Sequence, residues 1–253
     1  MKNGETKLVT PIFHKTSDGL EIPDDLPVCY VLADNGLFTR RRHRFFTSCV
    51  VARDWPSELV EQKQYLNLHC PKLSQEAMER IVGFFSKIAD LHGSEAAATL
   101  YWDRSDERVC FKIPDQRAAV SEGWNGGRYP SDVRYENPQV DSDLSLFGSV
   151  HSHVDGAAYA SQIDRTDESH LTGLHIVVGR IRQEPPELHC EYVVDGVRFR
   201  VDAGQVIEGY DQRSTDIPDE WIQRVKVDVN RYVTHSYYQN GEYDEGPARR
   251  RNR

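Results

Sequence analysis

The chain has 253 residues, 38% of them hydrophobic, and 31 basic against 40 acidic side chains leave a formal charge of −9. That length supports one large domain or two small ones with a sizeable core. The acidic balance disfavours a dedicated nucleic-acid partner, because such a surface repels phosphate backbones. No apolar run reaches the roughly 20 residues of a membrane span. Met1 to Glu5 leads into no apolar stretch, so no secretory signal is expected and a cytoplasmic location is. The five cysteines are scattered and form no CxxC. They read as reduced, mostly buried thiols, and not as a disulfide framework or a four-cysteine zinc site.

In chain order, residues 1–26 are polar and broken by Pro11 and Pro23, with Pro27 just beyond. They read as an irregular leader. Val28–Ala33 and the run from Leu37 flank Asn35-Gly36, the strongest short signal for a β-hairpin. Arg40-Arg41-Arg42-His43-Arg44 on the second arm reads as an edge strand blunted by charge. Residues 74–92 form the clearest helix: Ser74 is a good N-cap and Gly93 a stop. Met78, Ile81, Val82, Phe85, Ile88 and Ala89 share one face of it. Strands are expected over Ala96–Trp102, Val109–Ile113 and Leu144–Val150. Further strands are expected over Leu174–Ile181, Leu188–Val194 and Val197–Val201, the last two joined by Asp195-Gly196. Residues 115–143, rich in Gly, Pro, Ser and Asp, read as a long loop of the kind that is often functional. Pro218–Val229 reads as a helix, and Arg249–Arg253 as a frayed basic tail. The fold class is α/β, a mixed sheet flanked by helices.

Chemistry concentrates in Gly148-Ser-Val-His-Ser-His153 and its continuation to Ser161-Gln-Ile-Asp164. Two histidines two apart at the end of a strand place both imidazoles on one face, which suits a metal ion. Seven residues separate His153 from Ser161. If Ser161 to Asp164 opens a helix, residues three apart face the same way and Asp164 returns as a third ligand. Two histidines, one carboxylate and an open position for water make a catalytic zinc site. With ten histidines in the chain, an HxH pair alone is weak. Ser and Asp at fixed offsets make the string specific.

The string HSH, seven residues, SxxD resembles the JAMM signature of the MPN-domain (JAB) metalloproteases. Members cleave peptide or isopeptide bonds after the C-terminus of ubiquitin and ubiquitin-like proteins. The resemblance implies an MPN (JAB)-like domain over residues 64–205, between an N-terminal extension over 1–63 and a C-terminal extension over 206–253. Within the family the sequence is most similar to bacterial JAB proteins found beside ubiquitin-like proteins and E1- and E2-like enzymes in antiviral operons. The family also needs an upstream glutamate after a long helix, and Glu95 holds that place. His151, His153 and Asp164 are then the ligands of one zinc per chain, Glu95 the general base and Ser161 the oxyanion donor. Ser152 should point away. A ubiquitin-like protein or its conjugates would be the partner, its tail adding as a strand to a sheet edge, with Trp124 and Tyr129 on the 115–143 loop closing over it. Ala160 and Ala97-Ala98 depart from the family pattern, which favours Gly or Pro before the serine and glycines after the glutamate.

Three alternatives stand beside this. His151-Ser-His-Val-Asp155-Gly156 nearly matches the HxHxDH string of metallo-β-lactamase-like hydrolases, but Gly156 replaces the third histidine. Some MPN domains are metal-free scaffolds that bind a partner, although those characteristically lack ligands present here. A cysteine peptidase would use Cys49 or Cys110, and nothing around either suggests an activated thiol. His170 and His175 read as one exposed and one strand-packed histidine.

Overall fold

The computed structural model describes residues 10–57, 59–123 and 126–231. Trp124 and the basic tail over Arg249–Arg253 lie outside them. The chain forms two compact units, Met1–Tyr65 and Leu66–Arg253.

The first unit holds a four-stranded sheet in the order β1-β2-β3-β4, made of β1 (Ile12–His14), β2 (Val28–Ala33), β3 (Gly36–His43) and β4 (Phe46–Val51). The expected hairpin is present, but its turn falls on Asp34 and Asn35, and Gly36 already pairs with Ala33. The leader is not wholly irregular, since β1 pairs in parallel with β2. Nor is the arginine-rich strand an edge. Phe-Thr-Ser-Cys-Val-Val is rich in β-formers and pairs as β4 on the outer side of β3.

In the second unit, Ser74 Oγ accepts the backbone N–H of Ala77, and Gly93, at φ 65, ends α1 (Gln75–His92). Every residue of the predicted apolar face is buried, as is Phe84. That face packs on a six-stranded mixed sheet in the order β12-β11-β10-β9-β5-β6. Its strands are β5 (Ala97–Asp103), β6 (Arg108–Lys112), β9 (Leu144–Ser152), β10 (Gly173–Gly179), β11 (Glu187–Val194) and β12 (Val197–Val201). β9 and β10 run parallel, and the crossover between them carries α2 (Gln162–Asp167).

Alternation along the central strands gives this sheet two unlike faces. Ala98, Leu100, Val150, Leu174, Ile176, Val178 and Cys190 join α1 in the hydrophobic core. The opposite face carries a polar row set by register. Thr99 pairs with Ser149, Ser149 with His175, and His175 with Glu191. All four are buried.

Residues 115–143 are not a long loop. β7 (Gln116–Glu122) and β8 (Arg128–Tyr135) form a hairpin in a three-stranded sheet of order β13-β7-β8. Small residues hide the pattern: Gln116, Ala118 and Val120 are the buried side of β7. Pro130 fits within β8 because that strand is an edge and shifts register there, where a missing N–H costs no ladder bond. The helix expected over Pro218–Val229 shrinks. α3 (Ala203–Val206) and α4 (Asp219–Gln223) are short, and Val225, Val227 and Val229 alternate in β13 (Val225–Arg231). That period-two, β-branched pattern outweighs helix propensity. β13 pairs in parallel with β7. Among the described residues no helix is long and apolar enough to cross a membrane.

Candidate metal centre

His151 lies near the end of β9, and the N–H of His153, just beyond the strand, still bonds Val178 O on β10 at 2.8 Å. Both imidazoles therefore leave one sheet face. Val154 then turns the chain at φ 49, a costly conformation for a β-branched residue beside a candidate ligand. Its carbonyl accepts from Ile181 N at 2.8 Å, and its side chain is buried. Gly179 lets the following loop close down, because a Cβ there would meet Ala158 N at 2.3 Å.

Ser161 is the N-cap of α2, in a reciprocal capping box with Asp164. Asp164 Oδ2 accepts Ser161 N–H at 2.7 Å, and Ser161 Oγ accepts Asp164 N–H at 3.2 Å. The cap fixes the aspartate rotamer and aims its carboxylate at the histidines.

Three donor atoms converge. His151 Nε2 is 3.4 Å from His153 Nε2 and 3.4 Å from Asp164 Oδ1, while His153 Nε2 is 3.7 Å from Asp164 Oδ2. A tetrahedral zinc with bonds of about 2.0–2.1 Å separates its ligands by about 3.3–3.4 Å. The donor set and spacing fit that ion. His153 Nδ1–H donates to Ala157 O at 3.1 Å, which leaves Nε2 as the free lone pair. Among the described residues, these three are the group of His, Cys, Asp or Glu side chains able to hold a metal.

Glu95 sits two residues before β5. Ala97 pairs with His151, so the same register continued sets Glu95 opposite His153, on the same face. Ser152 secures this: its N–H bonds Ala96 O at 3.0 Å and its Oγ accepts Ala96 N–H at 3.2 Å. Ser152 thus points away from the metal cluster and holds the backbone beside Glu95. Gln116 binds Ala97 from the other side, accepting its N–H at 2.7 Å and donating to its carbonyl at 3.0 Å.

The electrostatics follow from burial. Burial raises the Glu95 carboxyl above its ordinary value, against the pull of His151 and His153. For Asp164, burial acts upward too, but hydrogen bonds with both histidines outweigh it and hold the carboxyl far below the usual range. Burial opposes charge on His153, yet Asp164 and Glu95 together raise its value. Burial pushes the Tyr135 phenol up to about 12 despite a hydrogen bond with Ser149.

All five predicted residues line one cavity of about 1050 Å³, whose wall includes the whole of β8 with the exposed Tyr129. The alternative HxHxD reading fails on geometry, since Asp155 pairs with Arg182 at 3.1 Å and not with the histidines. The Cys110 thiol is pushed up by burial, the reverse of activation. Sequence reasoning missed the buried group behind the cluster. Ser149 Oγ lies 2.9 Å from His175 Nδ1, and Glu168 Oε1 lies 3.3 Å from the same nitrogen. His175 is strand-packed as expected, but in polar company that long-range pairing creates and local pattern cannot reveal.

Residues 81–192 match the family model of prokaryotic homologs of the JAB domain. Over that stretch the chain is similar to the JAB domain of the JAB/MPN family. The match runs from Ile81, within α1, through the Glu95 segment, both histidines, α2 and β10 to Tyr192, within β11. A JAB1/MPN domain protein from Archaeoglobus fulgidus is a structural neighbour, 17% identical, with a TM-score of 0.33. The match covers 55% of this chain and 98% of that one. No curated protein matches the chain. JAB/MPN domains include peptidases and inactive members, and often bind zinc.

Proposed function

We propose that this protein is a zinc-dependent isopeptidase or peptidase that cuts after the C-terminus of a ubiquitin-like protein. The observation that carries the reading is the convergence of His151, His153 and Asp164 at tetrahedral spacing with Glu95 lining the same cavity. A zinc ion there would supply Lewis acidity at the scissile carbonyl and a nucleophile at neutral pH. Glu95, its carboxyl raised by burial, accepts the proton of the attacking water and returns it to the leaving amine. Ser161 Oγ accepts from Asp164 N–H, which leaves its hydroxyl proton free to donate to the oxyanion. β8, an edge strand on the cavity wall, offers unpaired backbone groups to an extended tail, as strand addition requires. E1- and E2-like enzymes of an antiviral conjugation operon are the partners this reading implies.

The test is incubation of zinc-loaded protein with a panel of ubiquitin-like proteins carrying C-terminal extensions. The reading expects one cut after the modifier's last residue, and none by a Glu95→Gln variant that retains zinc. Zinc-loaded wild type that cuts no member of the panel contradicts the peptidase reading and favours a scaffold.

A further inference from the structure

α2 has only six residues and buries none of them, yet it carries Asp164. Apolar packing, which supplies most helical stability in proteins, is therefore not what holds it in place. The capping box secures its first turn. A second attachment comes from β12, the opposite edge of the sheet from β6. Arg198 Nη2 donates to the backbone carbonyl of Asp164 at 3.0 Å and to Glu168 Oε2, just past the helix, at 2.7 Å. Its Nη1 donates to Glu191 Oε2 on β11 at 2.7 Å. The three side chains are 9–11% exposed. A planar fork that binds three oxygens in fixed directions suits arginine and not lysine. Glu168 is tied in turn to His175, whose Nε2–H donates to Leu171 O at 3.0 Å in the segment after α2. Arg198 itself is not among the residues lining the cavity.

We propose that Arg198 is a positioning residue of the metal site, clamping α2 at the Asp164 carbonyl and at its C-cap, Glu168, to the β11–β12 edge so that Asp164 stays at ligand distance from His151 and His153. The proposal rests on reading those three residues as a metal centre. Glu191 holds the guanidinium from the sheet side, and Glu168 receives it on the helix side. Loss of an outer partner of this kind typically weakens metal binding about 10–100-fold.

The experiment measures zinc affinity of the full chain by competition with a chromophoric chelator, and the visible spectrum of its cobalt(II) form. Arg198→Lys is expected to weaken zinc about 10–100-fold and to shift the cobalt bands. Ile81→Ala, a core variant on α1, should lower the melting temperature but leave both readouts unchanged. Removal of Arg198 alone strands two buried carboxylates and risks unfolding, so the triple variant Arg198→Met, Glu168→Gln, Glu191→Gln is measured beside it, with the same loss of affinity expected. Wild-type affinity and spectrum in Arg198→Lys or in the triple variant overturn the clamp. So does an equal loss in Ile81→Ala, which would make the effect one of global stability. Should wild type bind no zinc, or His151→Ala bind it as tightly as wild type, the metal reading itself fails and the clamp with it.

Discussion

His151 Nε2 and Asp164 Oδ1 stand 3.4 Å apart, although one projects from a sheet strand and the other from the crossover helix. The capping box with Ser161 makes that approach reproducible, because the carboxylate spans its own helix N-terminus and the imidazoles at once. Asp164→Asn keeps an oxygen for the Ser161 N–H but loses the charge, whereas Asp164→Ala loses both and keeps only the bond from its backbone N–H to Ser161 Oγ. Zinc affinity should fall in both variants, and in Asp164→Ala by more than the about 10–100-fold cost of losing an outer partner. Isothermal titration checks this, and unchanged affinity in Asp164→Ala removes it from the ligand set.

Glu95→Gln should retain zinc while turnover falls about 10²–10⁴-fold, the usual contribution of a general base. Steady-state kinetics on a cleavable fusion read this directly.

Glu95 also carries a stability cost. Burial raises its folded carboxyl above the unfolded value, so the neutral form favours folding. Its stabilisation is complete below the unfolded value and is lost as pH rises through the folded one. Metal-free Glu95→Gln should therefore melt above wild type at neutral pH, with the gap closing in acid. A lower melting temperature at neutral pH contradicts the burial argument.

Ser152 Oγ is the acceptor for the Ala96 N–H. Ser152→Ala leaves that buried donor unpaired and should cost about 1–3 kcal/mol. The strand entry beside Glu95 would loosen, so turnover should fall without loss of zinc stoichiometry. Urea unfolding and metal analysis of one sample check both parts.

Phe85 is fully buried where α1 meets the sheet, and Phe85→Ala should cost about 3–5 kcal/mol in unfolding free energy. A loss below about 1 kcal/mol would mean that the core relaxes around the cavity far more than such cores usually do.

The sequence is most legible where one local signal suffices. Ser74 and Gly93 bound α1 because caps are read within a turn, and Asp195-Gly196 turns β11 into β12 with both residues at positive φ. His151, His153, Ser161 and Asp164 are readable together because a short string with fixed spacing carries them. Glu95 needed the family's order of elements, since a lone glutamate after a helix has no pattern of its own. β7 and β8 hid behind alanines, serines and a proline, and β13 behind an acidic helix-like start at Asp219-Glu220. The Ser149–His175–Glu168–Arg198–Glu191 group was out of reach, because register across four strands assembles it.

The central claim is that His151, His153 and Asp164 hold a metal ion, and elemental analysis of protein purified without chelator tests it most directly. About one zinc per chain is expected in wild type and none in His151→Ala. Metal-free wild type, or equal zinc in both proteins, would contradict the account.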